Sequence, residues 1–122
     1  LVGSEMCIRD SLTPFAADSK DQATQDFVKA YKAAYNDETP NQFAADAYDG
    51  VMVLAELMKK EGITADMSAS DICDKLKKAI SDKDFSYDGL TGTGMKWNAN
   101  GEVSKPPKAV VIKDGNYAAL DN

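Results

Sequence analysis

Apolar and polar positions alternate with a helical period over three stretches of the chain and then lose it. Over residues 19–35, Phe27, Ala30, Tyr31, Ala34 and Tyr35 recur at helical spacing, while Asp26, Lys29 and Lys32 fall opposite. This predicts a first helix with Asp18 or Ser19 as its N-cap, ended by the Asn36-Asp37-Glu38 break. A second helix is predicted from Thr39-Pro40-Asn41-Gln42, read as Thr at the cap, Pro at the first helical position and Gln closing a capping box. Phe43, Ala44, Ala47, Tyr48, Val51, Leu54, Ala55 and Met58 then form one broad apolar face. Lys59-Lys60-Glu61-Gly62 supplies a basic last turn and a terminal glycine. Gly50, inside this helix, costs about 1 kcal/mol against Ala, a cost that close helix packing would explain. A third, short helix runs from Ser68 or Ser70 to about Ser81, with Ile72, Leu76, Ala79 and Ile80 as its stripe.

After Asp84 the period shortens. Phe85 and Tyr87 alternate with polar neighbours, and Gly89, Gly92 and Gly94 punctuate the chain before Trp97. Asn98-Ala99-Asn100-Gly101 reads as a turn with glycine supplying positive φ. Pro106-Pro107 is barred from a central strand. Ala109-Val110-Val111-Ile112 is a short apolar strand, and Asp114-Gly115 a hairpin signal returning through Asn116-Tyr117-Ala118. The layout is three helices followed by a short-stranded, hairpin-rich tail. An independent α/β domain places strands between its helices, so these helices are expected to cover sheets outside the chain. The chain alone is expected to associate through its uncovered apolar stripes.

Residues 1–10, Leu-Val-Gly-Ser-Glu-Met-Cys-Ile-Arg-Asp, resemble the translation of a transposon-type sequencing adaptor. Residues 1–11 are therefore set aside as a non-native segment, with no strand or helix expected there. That exclusion removes Cys7 and leaves Cys73 alone, in a helical pattern where a lone cysteine is expected as a small buried hydrophobe.

The chemistry available is limited. The 122 residues carry 20 acidic and 14 basic side chains, net −6, with no basic patch for a phosphate backbone, so no nucleic-acid partner is expected. Histidine is absent, which removes the commonest general base and metal ligand. Gly89-Leu90-Thr91-Gly92-Thr93-Gly94 lacks both the GxGxxG spacing and a following Lys-Ser/Thr, and reads as a turn or bulge beside Trp97. Asp82, Asp84 and Asp88 miss the calcium-loop spacing. Asp46 and Asp49, three apart on one helix face, read as solvated charge or as a helix-to-loop hydrogen bond. No catalytic residues, metal site or cofactor are expected. Phe43, in the first turn of the second helix, either packs in the core, which periodicity favours, or walls a small-ligand pocket.

Several strings occur together in order: Thr13-Pro14-Phe15, the Phe27-Val28-x-x-Tyr31 helix, Pro40, Phe43-Ala44, Ala47-Tyr48-Asp49-Gly50-Val51, Leu76-x-x-Ala79-Ile80, Gly89-Leu90-Thr91-Gly92, Lys96-Trp97-Asn98-x-Asn100-Gly101 and a final Val-Val-Ile-Lys-Asp-Gly. This order resembles the C-terminal third of branched-chain amino-acid-type (leucine-binding-like) substrate-binding proteins of ABC transporters, the type I periplasmic binding proteins, over residues 12–118. The resemblance implies an α/β fold, as an incomplete part of a two-lobed clamshell. Residues 12–108 would complete a first lobe, and residues 109–122 would return to the second. It implies a ligand-binding position at Phe43 with Ala44 beside it, since the family's pocket aromatic stands five residues before the Tyr of the Ala-Tyr-Asp helix. Asp49-Gly50 departs from the commoner Asp-Ala, and Asn98 stands where Asp is frequent.

The implied function is capture, without chemistry, of an amino acid or similar small ligand outside the cytoplasmic membrane, in the periplasm or as a lipid-anchored surface protein. Delivery would be to ABC permease membrane subunits, and the full-length protein would be monomeric. Two alternatives stand beside it. One is a ligand-sensing domain of a receptor or regulator with the same fold. The other is a small helical interaction module burying its apolar faces on one another.

Overall fold

A computed structural model describes residues 10–106, 108–113 and 116–119. The elements run β1 (Asp10–Thr13), α1 (Gln22–Ala34), α2 (Gln42–Lys60), α3 (Ala69–Ile80), β2 (Lys96–Trp97), β3 (Val103–Ser104), β4 (Lys108–Lys113) and β5 (Asn116–Ala119). Three helices followed by short strands is the expected layout. The chain divides into two compact units, one holding the residues up to Asp46 and from Pro106 onward, the other Ala47–Lys105.

In the first unit β1, β4 and β5 form an antiparallel sheet in that order. Leu12 pairs with Ala109 and Thr13 with Lys108, while Val111 pairs with Ala118. Lys113 pairs with Asn116; the Asp114-Gly115 hairpin signal lies outside the described residues, as do residues 1–9 and Pro107. No strand was expected before residue 12, yet β1 starts at Asp10. Its pairing there, Asp10 to Val111 and Ser11 to Val110, is a backbone ladder that makes little demand on side-chain identity. Phe15, Ala16 and Val110 are buried, and Phe15 meets Phe27 of α1 edge-on at 5.9 Å.

The N-cap of α1 is Asp21, two or three residues later than expected. Its carboxylate accepts from the backbone N–H of Thr24 at 2.9 Å, an acceptor better placed than that of Asp18 or Ser19, and Ser19 donates its hydroxyl to Asp21. The helix ends in the Asn36-Asp37 pair, both at positive φ, a conformation these two side chains tolerate.

The second unit is built on the C-terminal part of α2. Val53, Leu57, Ala79 and Phe85 form its core, with Leu76, Ile80, Tyr87 and Trp97 packed against them. The buried positions of α2 are Ala45, Asp49, Val53 and Leu57, spaced by four. The expected face is corrected: Phe43, Tyr48, Val51, Leu54 and Met58 are exposed, Val51 at 66%. The broad apolar stripe exceeds what the described residues cover, and in the narrower stripe beside it Val53 and Leu57 meet α3 and the chain after it. Gly50 is also corrected, since a Cβ there would meet nothing within 4 Å.

Helix α2 closes in a Schellman motif. Ile63 N–H reaches the Met58 carbonyl at 2.9 Å, Gly62 N–H reaches that of Lys59 at 3.3 Å, and Gly62 has φ 59°. Lys75 of α3 donates to the freed Glu61 carbonyl at 3.2 Å. Ser68 caps α3, accepting from Asp71 N–H at 3.1 Å while its hydroxyl donates to the Asp71 carboxylate at 2.7 Å. Cys73 is exposed on α3, against the expected burial, because the buried stripe passes through Leu76, Ala79 and Ile80 instead. Beyond it β2 and β3 pair as a hairpin, Trp97 opposite Val103, around the predicted turn. Gly101 has φ 83°, and the Asn98 side-chain oxygen accepts from Asn100 and Glu102 N–H groups.

Candidate functional site

Phe43 and Ala44 stand at the head of α2. The cap there is Asn41, whose side-chain oxygen accepts the Ala44 N–H at 3.1 Å, the N-cap to N3 bond. The expected capping box is therefore shifted: Thr39 is exposed, Pro40 is buried before the helix starts, and Gln42 is its first residue. Asn caps as well as Thr and lies next to Gln42, so it takes the position. Gln42 is drawn elsewhere, its side-chain oxygen accepting from the Thr13 hydroxyl at 2.6 Å. Thr13 is itself buried at the end of β1 and also accepts the Phe15 N–H at 3.3 Å.

Within this unit the Thr13-Pro14-Phe15 corner is therefore bolted to the first turn of α2. That turn holds Phe43 with 71% of its surface exposed and Ala44 half-buried beside it. Core packing, which periodicity favoured for Phe43, does not occur. An exposed aromatic ring on a capped, tethered helix end is a rigid apolar surface, suited to one wall of a small-molecule pocket. Thr13, Asn41 and Gln42 were not anticipated in this role; the signal available was a short polar side chain just before the helix.

In the second unit the helix-to-loop reading holds for Asp49. Its carboxylate is buried at 5% exposure and accepts Leu90 N–H at 2.9 Å, Thr91 N–H at 2.8 Å and the Thr91 hydroxyl at 2.7 Å. Charge-assisted bonds of this kind are the strong ones. Lys105 donates to the same hydroxyl at 3.1 Å. The Gly89–Gly92 turn exists for close approach. A Cβ at Gly89 would lie 2.6 Å from the Asp49 carboxyl carbon, and one at Gly92 would lie 2.9 Å from Met95 Cγ. Gly89 N–H closes the turn on the Gly92 carbonyl at 2.9 Å, and Tyr87 bridges Met95 on either side. Tyr87 is held above the ordinary tyrosine range by burial first, then by the nearby charge of Asp49.

Among the described residues no group of three or more Cys, Asp or Glu side chains is placed to hold a metal. Asp82 and Asp88 accept backbone N–H groups of Asp84 and Gly94. No described helix is long and apolar enough to cross a membrane.

Comparison with known proteins bears on the whole arrangement. Residues 10–116 match the family described as periplasmic binding protein. No curated protein sequence matches the chain. Among solved structures, the ABC transporter substrate-binding protein of Desulfitobacterium hafniense in complex with Leu is similar at 25% identity and TM-score 0.67, over 91% of this chain and 30% of that one. The branched-chain amino acid transporter substrate-binding protein LivJ of Streptococcus pneumoniae, in complex with isoleucine, is similar at 25% identity and TM-score 0.66, over 90% and 28%. A periplasmic ligand-binding protein of a branched-chain amino acid ABC transporter from Burkholderia xenovorans shares the fold at 15% identity and TM-score 0.73, over 92% and 29%. The chain thus spans about 30% of the length of these relatives. With nearly every described element inside the matched span, from β1 through the partners of β4, this chain belongs to the periplasmic binding protein family, as part of the α/β fold of its type I members.

Proposed function

We propose that this chain is part of the substrate-binding component of an ABC importer. It captures an amino acid of the branched-chain type, or a similar small polar ligand, outside the cytoplasmic membrane and hands it to permease subunits. In this reading residues 12–108 complete one lobe and residues 109–122 return to the other. Ligand favours the closed clamshell because only that state contacts it from both sides. Phe43 forms an apolar wall of the pocket, with Ala44 leaving room beside it. The observation that carries the proposal is the family match together with Phe43 standing exposed on a tethered helix head. Leucine and isoleucine in two relatives support the ligand class.

The test is to recover the gene upstream of Leu12 from the source DNA, express the complete product and titrate it with leucine and isoleucine by calorimetry. Saturable binding is expected, weakened about tenfold or more by Phe43→Ala through loss of buried apolar area. Binding that Phe43→Ala leaves unchanged would remove Phe43 from the site. Absence of heat with every small amino acid tried would remove the ligand class.

A further inference from the structure

The β2–β3 turn is organised around Asn98, which engages each of its polar groups. Its backbone N–H donates to the Glu102 carbonyl at 3.0 Å, and its own carbonyl accepts the Gly101 N–H at 3.0 Å. Its side-chain oxygen accepts the Asn100 N–H at 2.9 Å and the Glu102 N–H at 3.0 Å. Its side-chain amide donates to the Glu102 carboxylate at 2.6 Å. Inside this loop stands Asn100-Gly101, exposed to water. An Asn-Gly pair carries its own reaction. The glycine nitrogen, with no Cβ beside it to shield it, can attack the side-chain carbonyl carbon of the asparagine. The N–Cγ bond forms, the Cγ–Nδ2 bond breaks, and the proton of the attacking nitrogen leaves with the amide group as ammonia. Water, the only co-reactant, then opens the cyclic imide to aspartate or isoaspartate. In this fold the attacking group is already engaged. The Gly101 N–H that must give up its proton is bonded to Asn98, and the Asn100 N–H, on the other side of the Asn100 Cα, is bonded to Asn98 as well. Ring closure needs that proton released, so the bond from Gly101 to Asn98 must first break.

We propose that Asn100 is a deamidation site that Asn98, a positioning residue, keeps closed while the turn is formed. Conversion runs through local opening of the β2–β3 loop and leaves a new carboxylate two residues from Glu102. Neither the turn nor the reaction depends on the proposed function.

The test is ageing of the 122-residue chain at neutral pH, with tandem mass spectrometry of the peptide around residue 100. The mass gain of amide-to-acid conversion at Asn100 is expected to be about tenfold or more slower in buffer than in guanidinium chloride, the worth of the turn hydrogen bonds that must open. Asn98→Ala removes the side-chain acceptor and is expected to speed the gain about tenfold in buffer. Asn98→Asp, whose carboxylate can accept both N–H groups, should keep it slow. Hydrogen exchange at the Val53–Leu57 amides should be alike in all three chains, so that a faster gain reports the turn and not loss of the fold. Should Asn98→Ala unfold, the comparison of buffer with denaturant, which needs no variant, decides. Equal rates in buffer and denaturant would overturn the proposal. So would a rate unmoved by Asn98→Ala in a folded chain, or an Asn98→Asp chain as fast as the alanine variant.

Discussion

At the scale of single residues, the sign of a glycine substitution is set by what lies beyond the missing Cβ. Gly89→Ala would drive a methyl into the Asp49 carboxylate, whose three hydrogen bonds leave it nowhere to go; a loss of about 2 kcal/mol or more is expected in urea unfolding. Gly50→Ala enters open space in a helix interior and is expected to stabilise by about 0.5–1 kcal/mol. A gain from Gly89→Ala would contradict the packing described. Tyr87 gives a pH signature. Its raised value means that, as pH climbs past the ordinary 10.0, unfolded chains release the phenol proton first. Stability is therefore held below pH 10 and falls as pH rises toward the folded value. Thermal melts at rising alkaline pH should show that fall, and Tyr87→Phe should flatten it. Sequence alone left Asp49 between a solvated charge and a loop contact, because spacing shows that two carboxylates share a face and not what the face meets.

At the scale of elements, the three helices were legible to within a few residues, since each carries a period and polar ends. Their caps were less so. Asp18, Ser19, Asp21, Thr39 and Asn41 all have capping chemistry, and the choice is made by backbone path. Asn41→Ala is expected to cost about 1 kcal/mol in thermal or urea unfolding, and Thr39→Ala close to nothing; the reverse order would restore the capping box. The broad face of α2 was the main misreading. Periodicity finds apolar residues, and α2 carries more of them than its neighbours in this chain bury. Val53 and Leu57 went inside because they share a stripe with Asp49, whose loop must lie against the helix.

At the scale of the whole molecule, order along the chain was the informative feature. No short motif here names a function, but the succession from Thr13-Pro14-Phe15 to the β4–β5 hairpin identified the family that the match over residues 10–116 bears out. This chain spans about 30% of the length of its relatives, and under the proposed function the rest of the pocket is encoded in segments that no residue here makes legible. The uncovered face of α2 also has a consequence for handling. Tyr48, Val51, Leu54 and Met58 form an exposed apolar ridge, so the 122-residue chain is expected to self-associate. Sedimentation velocity should show association that grows with concentration and recedes in a Val51→Lys, Leu54→Lys variant. A monomer over a wide concentration range would argue that the ridge is harmless.

The contact between Gly89 and Asp49 also constrains how such sequences can diverge. The space that a side chain would need at position 89 is the space the carboxylate occupies, so position 89 cannot change while the acid stands. A lineage that gains a side chain at 89 must first shorten or lose the acid at 49, and a lineage that loses the acid frees 89. The one combination that should be missing is therefore an acid at 49 with a side chain at 89.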